Sequence, residues 1–123
     1  MYFVKLIYKT IVNYMYPKIP KQIIPKRVRN LVWSNYFKNE EGSCYACGRY
    51  IDIKNWHCSH VVSDKRGGQP IVNNLRPCCQ HCNLSCGKQN LYSYIRDKKL
   101  TGIGKNNVTA YMKYNPSQIN SKR

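Results

Sequence analysis

Cysteines stand at positions 44, 47, 79 and 82, so Cys44-x-x-Cys47 and Cys79-x-x-Cys82 repeat a single spacing. Two cysteines three apart on a tight turn aim both thiolates at one point, and two such turns complete a tetrahedron around a zinc ion. The 31 residues between Cys47 and Cys79 suffice for a hairpin that leaves the first pair and returns to the second. Unligated buried thiols and disulfides are the competing explanations. Seven cysteines are an odd number, their pairing is regular, and no secretory cleavage pattern is seen, all of which favours zinc in a reducing compartment. Cys78 adjoins Cys79, but only Cys79 reproduces the spacing of the first pair. Cys58 and Cys86 read as small apolar packing residues.

Proton-transfer chemistry falls to histidine. Glu40, Glu41, Asp52, Asp64 and Asp97 are the only carboxylates and do not cluster, which excludes a site of two metals held by several acids. His57, His60 and His81 are the only histidines, and all lie within the region bounded by Cys44 and Cys82. Lysine and arginine number 21 against five acids, a formal charge of +16, so the favoured partner is a polyanion contacted through its phosphates. Composition does not separate DNA from RNA. An acidic membrane surface is the other candidate.

The elements that must position these groups follow from periodicity. Phe3, Ile7, Ile11, Tyr14 and Met15 predict an amphipathic helix over residues 1–16, interrupted by lysines and too short in its apolar runs to span a membrane. Pro17, Pro20 and Pro25 make residues 17–25 an extended basic linker. Val28, Leu31, Val32, Trp33, Tyr36 and Phe37 give the next helix an apolar face, with Arg27 and Arg29 on its polar side, where they could touch phosphate. Residues 50–62 read as strand broken near Lys54-Asn55, and residues 64–70 as loop. Ile71-Val72 reads as the start of a short return strand leading into Asn74. Residues 80–86 suit a helix stopped by Gly87, and Leu91, Tyr94 and Ile95 suggest another. Residues 101–123 read as a loosely ordered basic tail. The expected organisation is therefore residues 1–25 as helix and linker, 26–100 as the working domain, and 101–123 as the tail.

Ser59-His60, Gly67-Gly68, Asn74-Leu75-Arg76-Pro77 and Cys79-Gln80-His81-Cys82-Asn83 follow one another in the order of a known pattern. Over residues 42–96 the chain resembles the HNH endonuclease family, most closely the zinc-knuckle type of phages and large DNA viruses. The resemblance implies an α+β fold, a small zinc-stapled ββα-metal (HNH, His-Me finger) domain with an N-terminal helical extension. It also implies that His60 is the general base, that Asn74 holds the loop and orients that histidine, and that Asn83 ligates a catalytic Mg2+ or another divalent metal. Many members place an aspartate where this chain has Ser59. His57 is a possible substitute ligand, although a regular strand points it away from the face of His60. His81 reads as a surface residue.

The resulting expectation is a metal-dependent DNA endonuclease or nickase with a structural zinc on its four paired cysteines, gripping phosphate through Arg49, Lys65, Arg66, Arg76 and Lys88. RNA is the second candidate substrate. A catalytically inactive zinc module that binds nucleic acid is the alternative, and a weak membrane or protein contact through residues 1–16 is a third possibility. The expected location is an intracellular, reducing compartment; for a viral protein this means host cytoplasm, nucleus or virion.

Overall fold

Pro25 has its φ fixed by its own ring, and at −57° it starts a helix without strain. In this computed structural model, which describes residues 22–119, the first helix α1 spans Lys26–Tyr36. The amphipathic helix expected over residues 1–16 and most of the basic linker lie outside the described residues. Val28, Val32 and Tyr36 fall four apart along α1 and face the core, while Leu31 at the border of that stripe is 47% exposed. Trp33 is buried against Trp56 and Phe37, with ring centroids 5.1 and 4.6 Å away, and its indole nitrogen donates to the Asn39 carbonyl. These contacts fix α1 to the cysteine-rich region.

Two antiparallel strand pairs follow. Strands β1 (Glu41–Ser43) and β2 (Tyr50–Asp52) pair with Gly42 opposite Ile51 and enclose the first cysteine turn. Strands β3 (His57–His60) and β4 (Leu75–Cys78) pair with His57 opposite Cys78 and His60 opposite Leu75. The break expected near Lys54-Asn55 falls between β2 and β3. β4 runs through Cys79 into helix α2 (Gln80–Cys86), where the Cys79 sulfur caps the helix by accepting from the Cys82 amide. Helix α3 (Leu91–Asp97) begins at Asn90, whose side-chain oxygen accepts from the amides of Tyr92 and Ser93. Helices and small antiparallel strand pairs thus make an α+β fold. Among the described residues, no helix is long and apolar enough to cross a membrane.

The return strand starts later than the sequence suggests. Val72–Asn74 coil into a 3-10 turn and Ile71 is 51% exposed, so pairing begins at Leu75. The reason is Asn74, whose carboxamide bonds to the backbone of Val62 and Gln69 and holds its own segment in a turn.

The loosely ordered tail is also corrected. Ile103–Asn107 form a 3-10 segment, followed by helix α4 (Val108–Tyr114) and a last turn, α5 (Pro116–Ile119). Tyr111 stacks on Tyr92 with centroids 4.3 Å apart, and its hydroxyl accepts from the Asn90 amide at 2.9 Å. Gly104 makes the approach possible, since a Cβ there would enter the Tyr45 ring and the Ile95 side chain. Its amide instead donates to the Tyr45 carbonyl at 2.8 Å.

Tyr111→Ala is expected to destabilise the protein by about 1–2 kcal/mol, because it removes a half-buried ring and a cap-supporting hydrogen bond. Lys113→Ala, on the exposed side of the same helix, should change stability by less than about 0.5 kcal/mol. Urea unfolding of the two variants checks this; equal effects would return the segment to the status of a tail.

Candidate active site and metal centre

The two cysteine turns meet. One ligand atom from each of Cys44, Cys47, Cys79 and Cys82 lies within 4.8 Å of the other three, and Cys47 and Cys79 sulfurs are 3.9 Å apart. A regular tetrahedron of sulfurs about 2.3 Å from a zinc ion has edges of about 3.8 Å, so the donor set and spacing fit that metal. Amides of Cys47, Arg49 and Cys82 donate to the sulfurs of Cys44, Cys47 and Cys79 at 3.4–3.5 Å, as suits thiolates. Cys78 is buried beside the cluster but is not part of it. A hydrogen bond from its thiol is the main reason the Cys44 thiol is held down at about 4, and the Cys78 thiol itself is pushed well up. Burial pushes Cys82 and Cys47 up as well, and the neighbouring Cys44 thiolate adds a smaller push in the same direction.

The thiolate cluster sits at the start of α2, which packs on β3, and a cavity of about 820 Å³ opens beside them. His57, Ser59, His60 and Asn83 all line it. Alternation along β3 sends its residues to different partners. Ser59, 2% exposed, donates its hydroxyl to Asn83 Oδ1 at 2.8 Å, and His57 Nδ1 lies 3.0 Å from Asn83 Nδ2. His60 Nε2 lies 3.2 Å from Gln22 Oε1. The helix carboxamide therefore bonds to His57 and Ser59, and His60 engages the segment before α1.

Gln22 was not legible as a site residue. Its Nε2 donates to the Gly68 carbonyl at 3.0 Å, which fixes the amide with Oε1 toward His60. An acceptor in that place requires the His60 proton on Nε2, leaving the lone pair of the neutral ring on Nδ1. Gly68 has room for no side chain, since a Cβ would overlap the Val62 carbonyl and crowd Asn74 Nδ2. Asn74 braces this glycine loop through Val62 and Gln69, acts on His60 only through the backbone two residues on, and does not line the cavity.

Of the five cations singled out as phosphate contacts, Lys65 and Lys88 line the cavity. Arg66 sits behind them, its Nε donating to the Lys88 carbonyl at 3.1 Å. Arg49 lies on the first cysteine turn and does not line the cavity. Arg76 is tied into the fold. Its guanidinium donates to the carbonyls of Asn73 and Leu75 and to the Tyr92 hydroxyl, and it lies over the Tyr45 ring, so it is bound into the fold. Arg29 of α1 reaches the cavity instead, its guanidinium 4.2 Å from the Trp56 ring centroid and donating to the Trp56 carbonyl at 2.9 Å. Its position on the polar side of α1 was the one sequence signal. His81 is exposed and stands outside the thiolate cluster.

Comparison with known proteins agrees with this geometry. Residues 44–89 match the family model described as HNH endonuclease, a stretch that takes in the thiolate cluster, β3, the glycine loop, β4 and α2. No curated protein matches the chain.

Two further thiols border the cavity. Burial pushes Cys58 up to about 11 and Cys86 up to about 12, so both are protonated at neutral pH and become thiolates only as pH rises through those values. At pH 8 both should alkylate at least ~100-fold more slowly than an unfolded thiol, with rates still rising beyond pH 10. Mass-resolved iodoacetamide kinetics check this; a plateau near pH 9 would show an ordinary exposed thiol.

Proposed function

We propose, taking residues 44–89 as an HNH endonuclease domain, that the protein is a metal-dependent endonuclease or nickase. It hydrolyses DNA phosphodiester bonds, with zinc on Cys44, Cys47, Cys79 and Cys82 as its structural staple. The observation that carries the reading is one cavity lined by His60, Asn83 and the cations Arg29, Lys65 and Lys88.

His60 is the general base. With Nε2–H directed to Gln22, Nδ1 takes the proton from water as the oxygen attacks phosphorus and the bond to the 3′-oxygen breaks. Asn74 keeps the loop beside His60 in shape through its bonds to Val62 and Gln69. Asn83, with Ser59 and His57 beside it, offers amide, hydroxyl and imidazole donors for a divalent ion such as Mg2+. When bound, such an ion supplies charge stabilisation for the phosphate and the departing oxygen. Arg29, Lys65 and Lys88 hold the backbone by charge, giving strong salt dependence and little sequence preference. A thiolate zinc staple suits a reducing intracellular compartment.

A second reading, a zinc module that binds nucleic acid without cutting it, is favoured by one feature, the neutral hydroxyl of Ser59 beside Asn83. Plasmid nicking separates the two. His60→Ala should lower the nicking rate by about 10²–10⁴-fold with DNA binding retained. Equal nicking by variant and parent removes His60 from the mechanism, and binding without nicking by the parent selects the module.

The staple has its own test. One zinc per chain is expected at the four sulfurs, and a chelator that removes it should abolish the far-ultraviolet circular dichroism of the folded domain, with recovery on adding zinc. A fold unchanged by complete zinc removal would overturn the structural role.

A further inference from the structure

Among the described residues, the side chains bonded to Asn83 are the neutral Ser59 and His57, and Asp64, the one carboxylate lining the same cavity, accepts from the Lys65 amide instead. Magnesium is held by oxygen ligands, usually one or two carboxylates with waters and phosphates, and it is released readily from neutral sets. A site with a nitrogen donor instead gains affinity along the first-row transition ions, rising from Mn2+ through Co2+ to Ni2+. His57 is the residue that supplies an imidazole here. It shares strand parity with Ser59, and that face of β3 looks onto α2, so His57 Nδ1 comes within 3.0 Å of the Asn83 carboxamide.

The network is also reversible. A hydroxyl and an imidazole each donate or accept, so the Asn83 amide can rotate by half a turn and keep both bonds. Rotated, its Oδ1 faces His57 Nδ1, and the two lone pairs need either a shared proton or a shared cation between them. Adjacent ligands of an octahedral ion, each about 2.1 Å from the metal, are about 3.0 Å apart. The existing separation therefore matches a ligand pair with little movement.

We infer that His57 Nδ1 and Asn83 Oδ1 are paired ligands of the catalytic ion, and that this neutral imidazole-carboxamide pair selects Mn2+, Co2+ or Ni2+ over Mg2+. The inference rests on the nuclease reading for the existence of that ion. Ser59 holds the amide in place from the other side, and phosphate oxygen and water complete the shell. Arg29, Lys65 and Lys88 around the cavity repel a bare cation, so a bound phosphate strengthens the metal's hold.

The test uses the full chain loaded with one equivalent of zinc, Mn2+ as the probe, and a DNA oligonucleotide with a non-hydrolysable linkage. Pulsed paramagnetic resonance should show nitrogen modulation from one imidazole on Mn2+. His57→Gln, which keeps a polar partner for Asn83, should lose that modulation and weaken Mn2+ binding at least ~10-fold. His57→Asp should keep Mn2+ and raise Mg2+ affinity, since it restores a carboxylate. His60→Ala should leave the modulation intact. Modulation unchanged in His57→Gln, lost in His60→Ala, or Mg2+ displacing Mn2+ at equal concentration would each overturn the inference. These outcomes are independent of cleavage. A parent that shows the modulation but nicks no plasmid sinks the nuclease reading alone, whereas His60-dependent nicking with unchanged modulation in His57→Gln sinks the His57 assignment alone.

Discussion

Four sulfurs drawn within 4.8 Å of one another form an arrangement that thiolates resist, and the rest of the fold depends on overcoming that resistance. The turn after β1 and the turn after β4 are 31 residues apart in the chain, and the Tyr45 amide joins them by donating to the Pro77 carbonyl at 2.8 Å. The core supplies only part of the grip: Tyr45, inside the first turn, is fully buried and is reached by Tyr36, by Tyr92, and by Gly104 and Asn107, from three different segments. A cation held among the four sulfurs would supply the remainder by converting repulsion into shared attraction. Because Cys79 also caps α2, the bond that closes the cluster sets the angle at which that helix leaves the sheet.

That angle decides what β3 can do. A four-residue strand has two faces, and here both serve the same cavity by different routes. His57 and Ser59 face the helix and hold its carboxamide. His60 engages the segment before α1, where Gln22 ties it to the glycine loop. His60 and Asn83 therefore rest on separate supports, so a disturbance at Asn83 need not move His60. Arg29, Lys65 and Lys88 make the cavity rim positive, with Asp64 the one carboxylate among the lining residues.

What the sequence revealed was local, and what it concealed was long-range. The paired cysteine spacing located the thiolate cluster because a tight turn orients both sulfurs by itself. The helix over residues 80–86 was legible because a capping cysteine starts it and Gly87, at φ +55°, ends it. Parity along β3 set His57 on the face away from His60, whereas both line one cavity, His57 beside Asn83 and His60 beside Gln22. By contrast, Asn73-Asn74 turned what looked like strand into a 3-10 turn, an outcome that required knowing which carbonyls Asn74 would find. The residues after 101 looked too polar to fold, and their order comes from contacts distant in the chain, Gly104 lying on Tyr45 and Tyr111 stacking on Tyr92. Gln22 and Arg29 have no motif. Their positions are set by the burial of Trp33 on Trp56, which brings α1 to the edge of the cavity.

The cavity wall thus draws on segments well outside residues 44–89. A transplant of that stretch alone into another scaffold would carry the cysteines, the histidines and Asn83 but leave behind the amide that fixes the His60 proton and the guanidinium on Trp56. It would also leave behind Tyr111, which supports the cap of α3. The smallest portable unit is therefore bounded by these clamps, from Gln22 to Tyr111, and is about twice the length of the stretch that carries the signature.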